Sequence, residues 1–135
     1  MPDGPVVLVV EDEEPNRALL RAVLARASDD RLRDLTLLEA PDLATARAVL
    51  ATEHVDLVLL DVRLPDGNGL SLIADDGHRA GPEPRFIVLS ASVLPAERAT
   101  ALATGAAGFL AKPYRPSELI ETVADLLGPT TAEAE

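Results

Sequence analysis

Short apolar runs alternate along the chain with segments in which apolar residues recur at helical spacing. Runs rich in Val, Leu and Ile predict five β-strands, at residues 5–10, 35–40, 55–60, 85–90 and 108–111. Helical spacing predicts five helices, at residues 15–28, 42–50, 70–74, 95–104 and 116–127. This alternation predicts an α/β fold: a single doubly wound, five-stranded parallel sheet with helices on both faces and right-handed crossovers.

Three details of the pattern make the prediction more specific. The run at 35–40 is weaker than the others, so its strand is expected near an edge of the sheet. The third helix should be short, because residues 75–84 are rich in Gly, Pro and Asp, and the role of that loop stays open. In the fourth helix, the spacing assigns Ala99, Leu102 and Ala103 to the inner face.

Composition excludes several classes of function. The 135 residues suffice for one domain, expected over 1–128 and followed by a polar tail at 129–135. Cys is absent and the two histidines, His54 and His78, are isolated, so no zinc site is expected. A net charge of −11 argues against direct binding to nucleic acid or an anionic membrane. No apolar run reaches the roughly 20 residues of a membrane span, so we expect a cytoplasmic protein.

Reactive side chains follow four of the five predicted strands. The central strand ends at Asp61, which either caps the next turn or lies where open α/β sheets bind ligands. Three other strands end in Glu11 and Asp12, in Ser90, and in Lys112. Because turn capping alone does not explain such residues on four strands, the pattern favours a functional site at the carboxyl edge of the sheet.

The residue types at this edge suit phosphoryl chemistry. Carboxylates without Cys or paired His favour a hard cation, and Mg²⁺ is the usual choice where phosphate is the other partner. A carboxylate such as Asp61 can act as nucleophile and form an aspartyl phosphate, while Lys112 and Ser90 contact the other phosphoryl oxygens. No residue is obviously placed as a strong general base, which favours a switch over a turnover enzyme.

Four segments carry a resemblance to a known family. They read VVEDE at 9–13, LLDVRLPDGNG at 59–69, LSA at 89–91 and GAAGFLAKP at 105–113. In this order and spacing they resemble the receiver domain of two-component response regulators, the CheY-like family with its flavodoxin-like fold. The resemblance covers the chain from about residue 5 to residue 128.

The resemblance implies a role for each acid. Asp61 would accept a phosphoryl group from a histidine kinase or a histidine phosphotransfer protein. Asp12 and Asp61 would bind Mg²⁺ directly, Arg63 would do so through its backbone carbonyl, and Glu11 largely through water. The Arg63 side chain could reach over the site and alter dephosphorylation, or remain solvated, and both interpretations stay open.

The resemblance also implies how the domain switches. Ser90 would be the switch hydroxyl, Lys112 the phosphate-contacting lysine, and a cis peptide bond would precede Pro113. The phosphoryl group would draw Ser90 inward and let Phe109, at the aromatic switch position, turn into the vacated space. A downstream protein target would then recognise the last two helices and the strand between them.

Several alternatives remain from the sequence alone. A pseudo-receiver would bind partners without phosphorylation, but the retention of all the acids, Ser90 and Lys112 argues against it. A Mg²⁺-dependent aspartyl-phosphate phosphatase would usually carry a second Asp at the position of Arg63, so this enzyme class is disfavoured. The chain could also be the receiver of a longer regulator, and it could form a homodimer.

Overall fold

The chain folds around one parallel sheet in this computed structural model, which describes residues 4–74, 83–91 and 94–127. Its strands are β1 (Val6–Val10), β2 (Thr36–Ala40), β3 (Leu57–Asp61), β4 (Arg63–Leu64), β5 (Gly67–Asn68), β6 (Arg85–Ser90) and β7 (Gly108–Ala111). The five longer strands run parallel in the order β2-β1-β3-β6-β7, while β4 and β5 form a small antiparallel hairpin. The predicted fold is confirmed, with the weak strand at an edge.

The helices agree with the predicted segments. They are α1 (Glu14–Ala25), α2 (Leu43–Thr52), α3 (Leu70–Ala74), α4 (Pro95–Thr104) and α5 (Pro116–Leu127), and a short 3₁₀ turn lies at Asp30–Leu32. Asp42 caps α2, because its carboxylate accepts the Thr45 N–H at 2.8 Å. The described part of α3 is five residues long; the loop residues 75–82 and the predicted tail lie outside the described residues. Within the described ranges, no helix is long and apolar enough to cross a membrane.

Helices bury both faces of the sheet. On one face, strand residues pack against α1 and α5 in what we call the α1–α5 cluster, whose members include Val7, Val9, Leu20, Leu24, Leu57, Leu59, Ile87, Leu89, Leu119, Val123 and Ala124. On the other face, α2 and α3 pack against the strands through Leu8, Val10, Leu43, Ala46, Leu50, Val58, Leu60, Leu72 and Phe86. A third and smaller group, the α4 cluster, consists of Val88, Ala101 and Ala106.

Helix α4 presents a different face to the sheet from the predicted one. Its buried residue is Ala101, which is 1% exposed, whereas Leu102 is 43% exposed and both Ala99 and Ala103 are exposed. The predicted inner face is therefore wrong. In a helix built largely from Ala and Thr, small apolar residues occur on several sides, so the hydrophobic pattern does not select one face.

The register of the sheet brings the reactive residues to one edge. Val10 pairs with Leu60, so the chain leaves β1 beside the end of β3 at Asp61. Asp61 pairs with Leu89 on its other side, and Ser90 at the end of β6 pairs with Ala111. Because all these strands are parallel, the residues at their carboxyl ends lie at the same edge.

Candidate phosphoacceptor site

Three carboxylates form the centre of the site. Glu11 and Asp12 directly follow β1, Asp61 is the last residue of β3, and one oxygen of each lies within 4.8 Å of the others. Glu11 is 1% exposed, whereas Asp12 is exposed and Asp61 is intermediate. Such closely placed anions repel one another, so the arrangement calls for positive charge.

Lys112 supplies part of that charge. Its Nζ donates to Glu11 Oε1 at 3.1 Å and to Asp61 Oδ2 at 3.4 Å. Burial acts to lower the pKa of Lys112, but the neighbouring Asp61 and Glu11 carboxylates outweigh it and raise the pKa above its ordinary value. The peptide bond between Lys112 and Pro113 is cis, which confirms the expectation drawn from the resemblance.

Arg17 is a supporting residue that the sequence did not reveal. Its Nη1 donates to the backbone carbonyl of Glu11 at 2.6 Å, while its other nitrogens pair with Glu14 at 2.7 Å and Glu39 at 3.3 Å. The guanidinium thus holds the turn between β1 and α1 in place. A basic residue in the first turn of a helix lies near the preceding loop, but the sequence alone does not show whether its side chain faces that loop or solvent.

The loop after Asp61 is ordered by backbone contacts. Arg63 pairs with Asn68 in the β4–β5 hairpin, and its N–H donates to Asp61 Oδ1 at 3.3 Å. The Gly69 N–H donates to the Val62 carbonyl at 2.7 Å, and a Cβ at Gly69 would collide with the Asp61 carbonyl oxygen. Only glycine therefore fits at position 69 without displacing the backbone of the predicted nucleophile.

The predicted switch residues lie beside a cavity between helix α4 and the loop that follows Asp61. Ser90 is 5% exposed at the end of β6, and Phe109 in β7 is half-buried. Both line a cavity of about 470 Å³, together with Arg63 and Ala101. The guanidinium carbon of Arg98 lies 5.7 Å from the centre of the Phe109 ring, within the range of a cation–π contact.

Tyr114 is a second neighbour that the sequence did not reveal. It packs against the α1–α5 cluster and is partly buried. Burial raises the pKa of its hydroxyl, and the charges of Lys112, Glu11 and Asp61 also act on it, the lysine in the opposite direction. The side chain therefore lies close enough to the acids for their charges to affect the pKa of its hydroxyl.

The remaining sequence candidates do not join the site. His54 pairs with Asp56 at 2.9 Å just before β3, at the amino edge of the sheet and thus far from the acids. His78 lies outside the described residues.

The sheet order and the acids at its carboxyl edge define the class of this protein as a CheY-like α/β domain. A family model for the response regulator receiver domain matches residues 7–124. The chain therefore belongs to the receiver domain family of two-component response regulators, a family of signalling phosphoacceptors.

Similar proteins include regulatory proteins that are longer than this chain. The KDP operon transcriptional regulatory protein KdpE of Escherichia coli is 38% identical over 113 residues, which are 84% of this chain and 47% of KdpE. The response regulator protein PilR of Pseudomonas aeruginosa is 37% identical over 128 residues, which are 95% of this chain and 27% of PilR. The chain thus spans about half of the first relative and about a quarter of the second.

Solved structures show the same architecture. The receiver domain of a sensor histidine kinase from Pseudomonas aeruginosa, solved with a magnesium ion coordinated in its active site cleft, matches with a TM-score of 0.77 at 27% identity over 93% of this chain and 99% of that one. A putative response regulator from Chloroflexus aurantiacus matches with a TM-score of 0.80 at 24% identity over 93% and 99% of the two chains. The second match supports the fold alone.

Proposed function

We propose that the domain is a phosphorylation-dependent switch in which Asp61 accepts a phosphoryl group from a phosphohistidine. The donor is a histidine kinase or a histidine phosphotransfer protein, and the switch acts in the cytoplasm, where response regulators generally work. One observation carries the proposal: the Lys112 ammonium contacts both Asp61 and Glu11 at the edge where the acids meet.

The transfer forms one bond and breaks another. A carboxylate oxygen of Asp61 attacks phosphorus, while the bond between phosphorus and the imidazole nitrogen breaks and leaves its electron pair on that nitrogen. Lys112 lies beside Asp61 Oδ2 and offers N–H donors to a phosphoryl oxygen, and its raised pKa keeps it charged at neutral pH. The hydroxyl of Ser90, at the end of the neighbouring strand, would contact another phosphoryl oxygen.

The donor set fits Mg²⁺. Asp12, Asp61 and the Arg63 carbonyl would bind it directly, because hard oxygen ligands suit this cation. Glu11, whose two oxygens accept hydrogen bonds from Lys112 and from the Glu13 N–H at 3.2 Å, would contact the ion largely through water. When bound, Mg²⁺ would supply positive charge that offsets the repulsion between the acids and the incoming phosphoryl oxygens.

Phosphorylation would change the structure of the domain on its α4 side. Ser90 and Phe109 border the same cavity, so an inward shift of Ser90 toward the phosphoryl group changes the space available to the Phe109 ring. The surface formed by α4, β7 and α5 would then bind a downstream protein. Only self-phosphorylation and slow self-dephosphorylation are expected, because the groups around Asp61 within the described residues are carboxylates and an ammonium, without a strong general base.

Intact-mass spectrometry with a small phosphodonor and Mg²⁺ tests the proposal. The wild type should gain one phosphoryl group and Asp61→Asn none. Asp56→Asn is the matched control, because Asp56 lies at the opposite end of β3 and an amide oxygen can still accept the Val6 N–H. A wild type that gains nothing, under conditions that modify another receiver, would support a pseudo-receiver. A mass gain that persists in Asp61→Asn would show that the nucleophile is another residue.

A further inference from the structure

Asp66 links the loop after the nucleophile to a distant helix. It lies in the turn between β4 and β5, and its carboxylate accepts the N–H of Leu43 at 2.9 Å and the N–H of Ala44 at 3.1 Å. These are the first two residues of α2, whose N–H groups have no partner inside the helix. The pKa of Asp66 is lowered chiefly by the hydrogen bond from Leu43, against the effect of burial, so the carboxylate is charged at neutral pH.

Helix α2 has a second cap, which makes the link through Asp66 distinctive. Asp42 already accepts the Thr45 N–H at 2.8 Å, as an ordinary N-cap residue does. Two carboxylates therefore accept hydrogen bonds from the backbone N–H groups at the start of one helix. Only Asp66 comes from another part of the chain, and that part is the hairpin directly after Asp61.

The hairpin is fixed at both of its ends. At the end near the nucleophile, the N–H of Arg63 donates to Asp61 Oδ1 at 3.3 Å. At the far end, Asp66 bonds to α2, and a Cβ at Gly67 would lie 3.1 Å from Leu43 Cδ1, so the turn lies close against the helix. Gly67 also has a φ of 147°, which side-chain-bearing residues rarely adopt. The backbone of Arg63 thus lies in a segment held between the acids and α2.

We propose that Asp66 is a positioning residue for the cation site, because it holds the hairpin that carries the Arg63 carbonyl. This inference rests on the proposed function, in which that carbonyl is a ligand of Mg²⁺. Since coupling between two sites is reciprocal, Mg²⁺ binding also strengthens the contact between the hairpin and α2. The start of α2 is then an element that senses whether the site is occupied.

The matched pair Asp66→Ala and Asp42→Ala separates positioning from simple capping. Each variant removes a carboxylate from the start of α2, so each should lose stability in urea unfolding without Mg²⁺. Mg²⁺ affinity is measured by calorimetry on the unphosphorylated protein. Asp66→Ala should weaken Mg²⁺ binding about tenfold, which is the lower end of the range of losses seen when a residue that orients a metal ligand is removed. Asp42→Ala should leave Mg²⁺ binding unchanged. Asp66→Asn keeps one acceptor oxygen and should fall between wild type and Asp66→Ala.

The outcomes distinguish this inference from the proposed function. A wild type that binds no Mg²⁺ contradicts the proposed function, and this inference with it. Equal Mg²⁺ affinity for wild type, Asp66→Ala and Asp42→Ala overturns only the inference, and Asp66 is then a cap. If Asp66→Ala does not fold, hydrogen exchange on the wild type decides. Mg²⁺ should slow exchange at the amides of Leu43 and Ala44 several-fold and leave that of Thr45 unchanged, and equal rates with and without Mg²⁺ would overturn the inference.

Discussion

The two helix layers beside the site differ in how they are packed. Under α1 and α5, long aliphatic side chains such as Leu20, Leu24 and Leu119 are almost completely buried in a large cluster. Under α4, the buried cluster has three members among the described residues, and two of them are alanines, Ala101 and Ala106. A cavity of about 470 Å³ lies next to this smaller cluster.

Because of this difference, the proposed phosphoryl chemistry and the proposed conformational change lie in differently packed parts of the domain. The acids and Lys112 extend from strands whose side chains are tightly packed, so their relative positions are held by the core of the domain. Phe109 and Ser90 instead border the cavity, where a side chain can change its rotamer without compressing its neighbours. In the proposed function, a phosphoryl group on Asp61 would therefore shift the α4 side while the geometry of the acids is preserved.

The largest expected effect comes from a matched pair of leucines. Leu119→Ala, on α5, should lower the free energy of unfolding by about 2–5 kcal/mol, since it opens a cavity in the α1–α5 cluster. Leu102→Ala, on α4, should change it by no more than about 0.5 kcal/mol, because that side chain is already 43% exposed. Urea unfolding measures both. Equal losses would mean that α4 packs as tightly as α5, or that Leu102 faces inward as its sequence spacing suggested.

Enlarging a buried alanine tests the same contrast from the opposite direction. Ala124→Leu, on α5, should lower the free energy of unfolding by about 1–3 kcal/mol, because the tightly packed cluster has no room for a larger side chain. Ala101→Leu should cost less than about 1 kcal/mol, since Ala101 borders the cavity and the added carbons can enter it. Thermal or urea unfolding compares the two, and a loss for Ala101→Leu as large as that for Ala124→Leu would contradict the difference in packing.

The same contrast explains what the sequence could predict. The strands and the acids were predictable because buried parallel strands produce continuous apolar runs, and each run ends where the chain leaves the sheet. That rule placed Asp61, Glu11 and Lys112 at one edge, and the strand order and register confirm that these strands end at the same edge of the parallel sheet. The inner face of α4 was not predictable, because it depends on small residues that fit beside a cavity rather than on a stripe of large ones.

Contacts distant in sequence were also missed, for a different reason. Asp66 reads as an ordinary turn residue between Pro65 and Gly67, and nothing local shows that its carboxylate reaches helix α2. Arg17 likewise reads as a surface arginine, although it bonds to the Glu11 carbonyl. The two-residue strands of the hairpin are too short to produce an alternating pattern. These features follow from the assembled fold rather than from any one segment.

The smallest effect concerns the polar edge of the α1–α5 layer. The Asp29 carboxylate accepts hydrogen bonds from the Arg31 side chain at 2.8 and 3.0 Å and from the Arg31 backbone N–H at 2.9 Å. These bonds lower the pKa of Asp29 to about 2. Arg31 also pairs with Asp125 of α5 at 3.1 Å, so the 3₁₀ turn is joined to that helix. Because the folded pKa lies below the unfolded one, Asp29 contributes stability above about pH 4 that is lost as the pH falls toward 2.

Asp29→Asn should therefore be less stable than wild type at pH 6, and the difference should shrink as the pH falls from about 4 toward the folded pKa. Urea unfolding of the two proteins across this range measures the difference. Repeating the comparison in an Arg31→Met background tests the cause: the pH dependence of the difference should weaken, because the side-chain hydrogen bonds that contribute most to lowering the pKa are gone, while the bond from the residue 31 backbone N–H remains. If the stability difference between wild type and Asp29→Asn, measured with Arg31 in place, stays constant with pH, Asp29 acts only as the cap of the 3₁₀ turn.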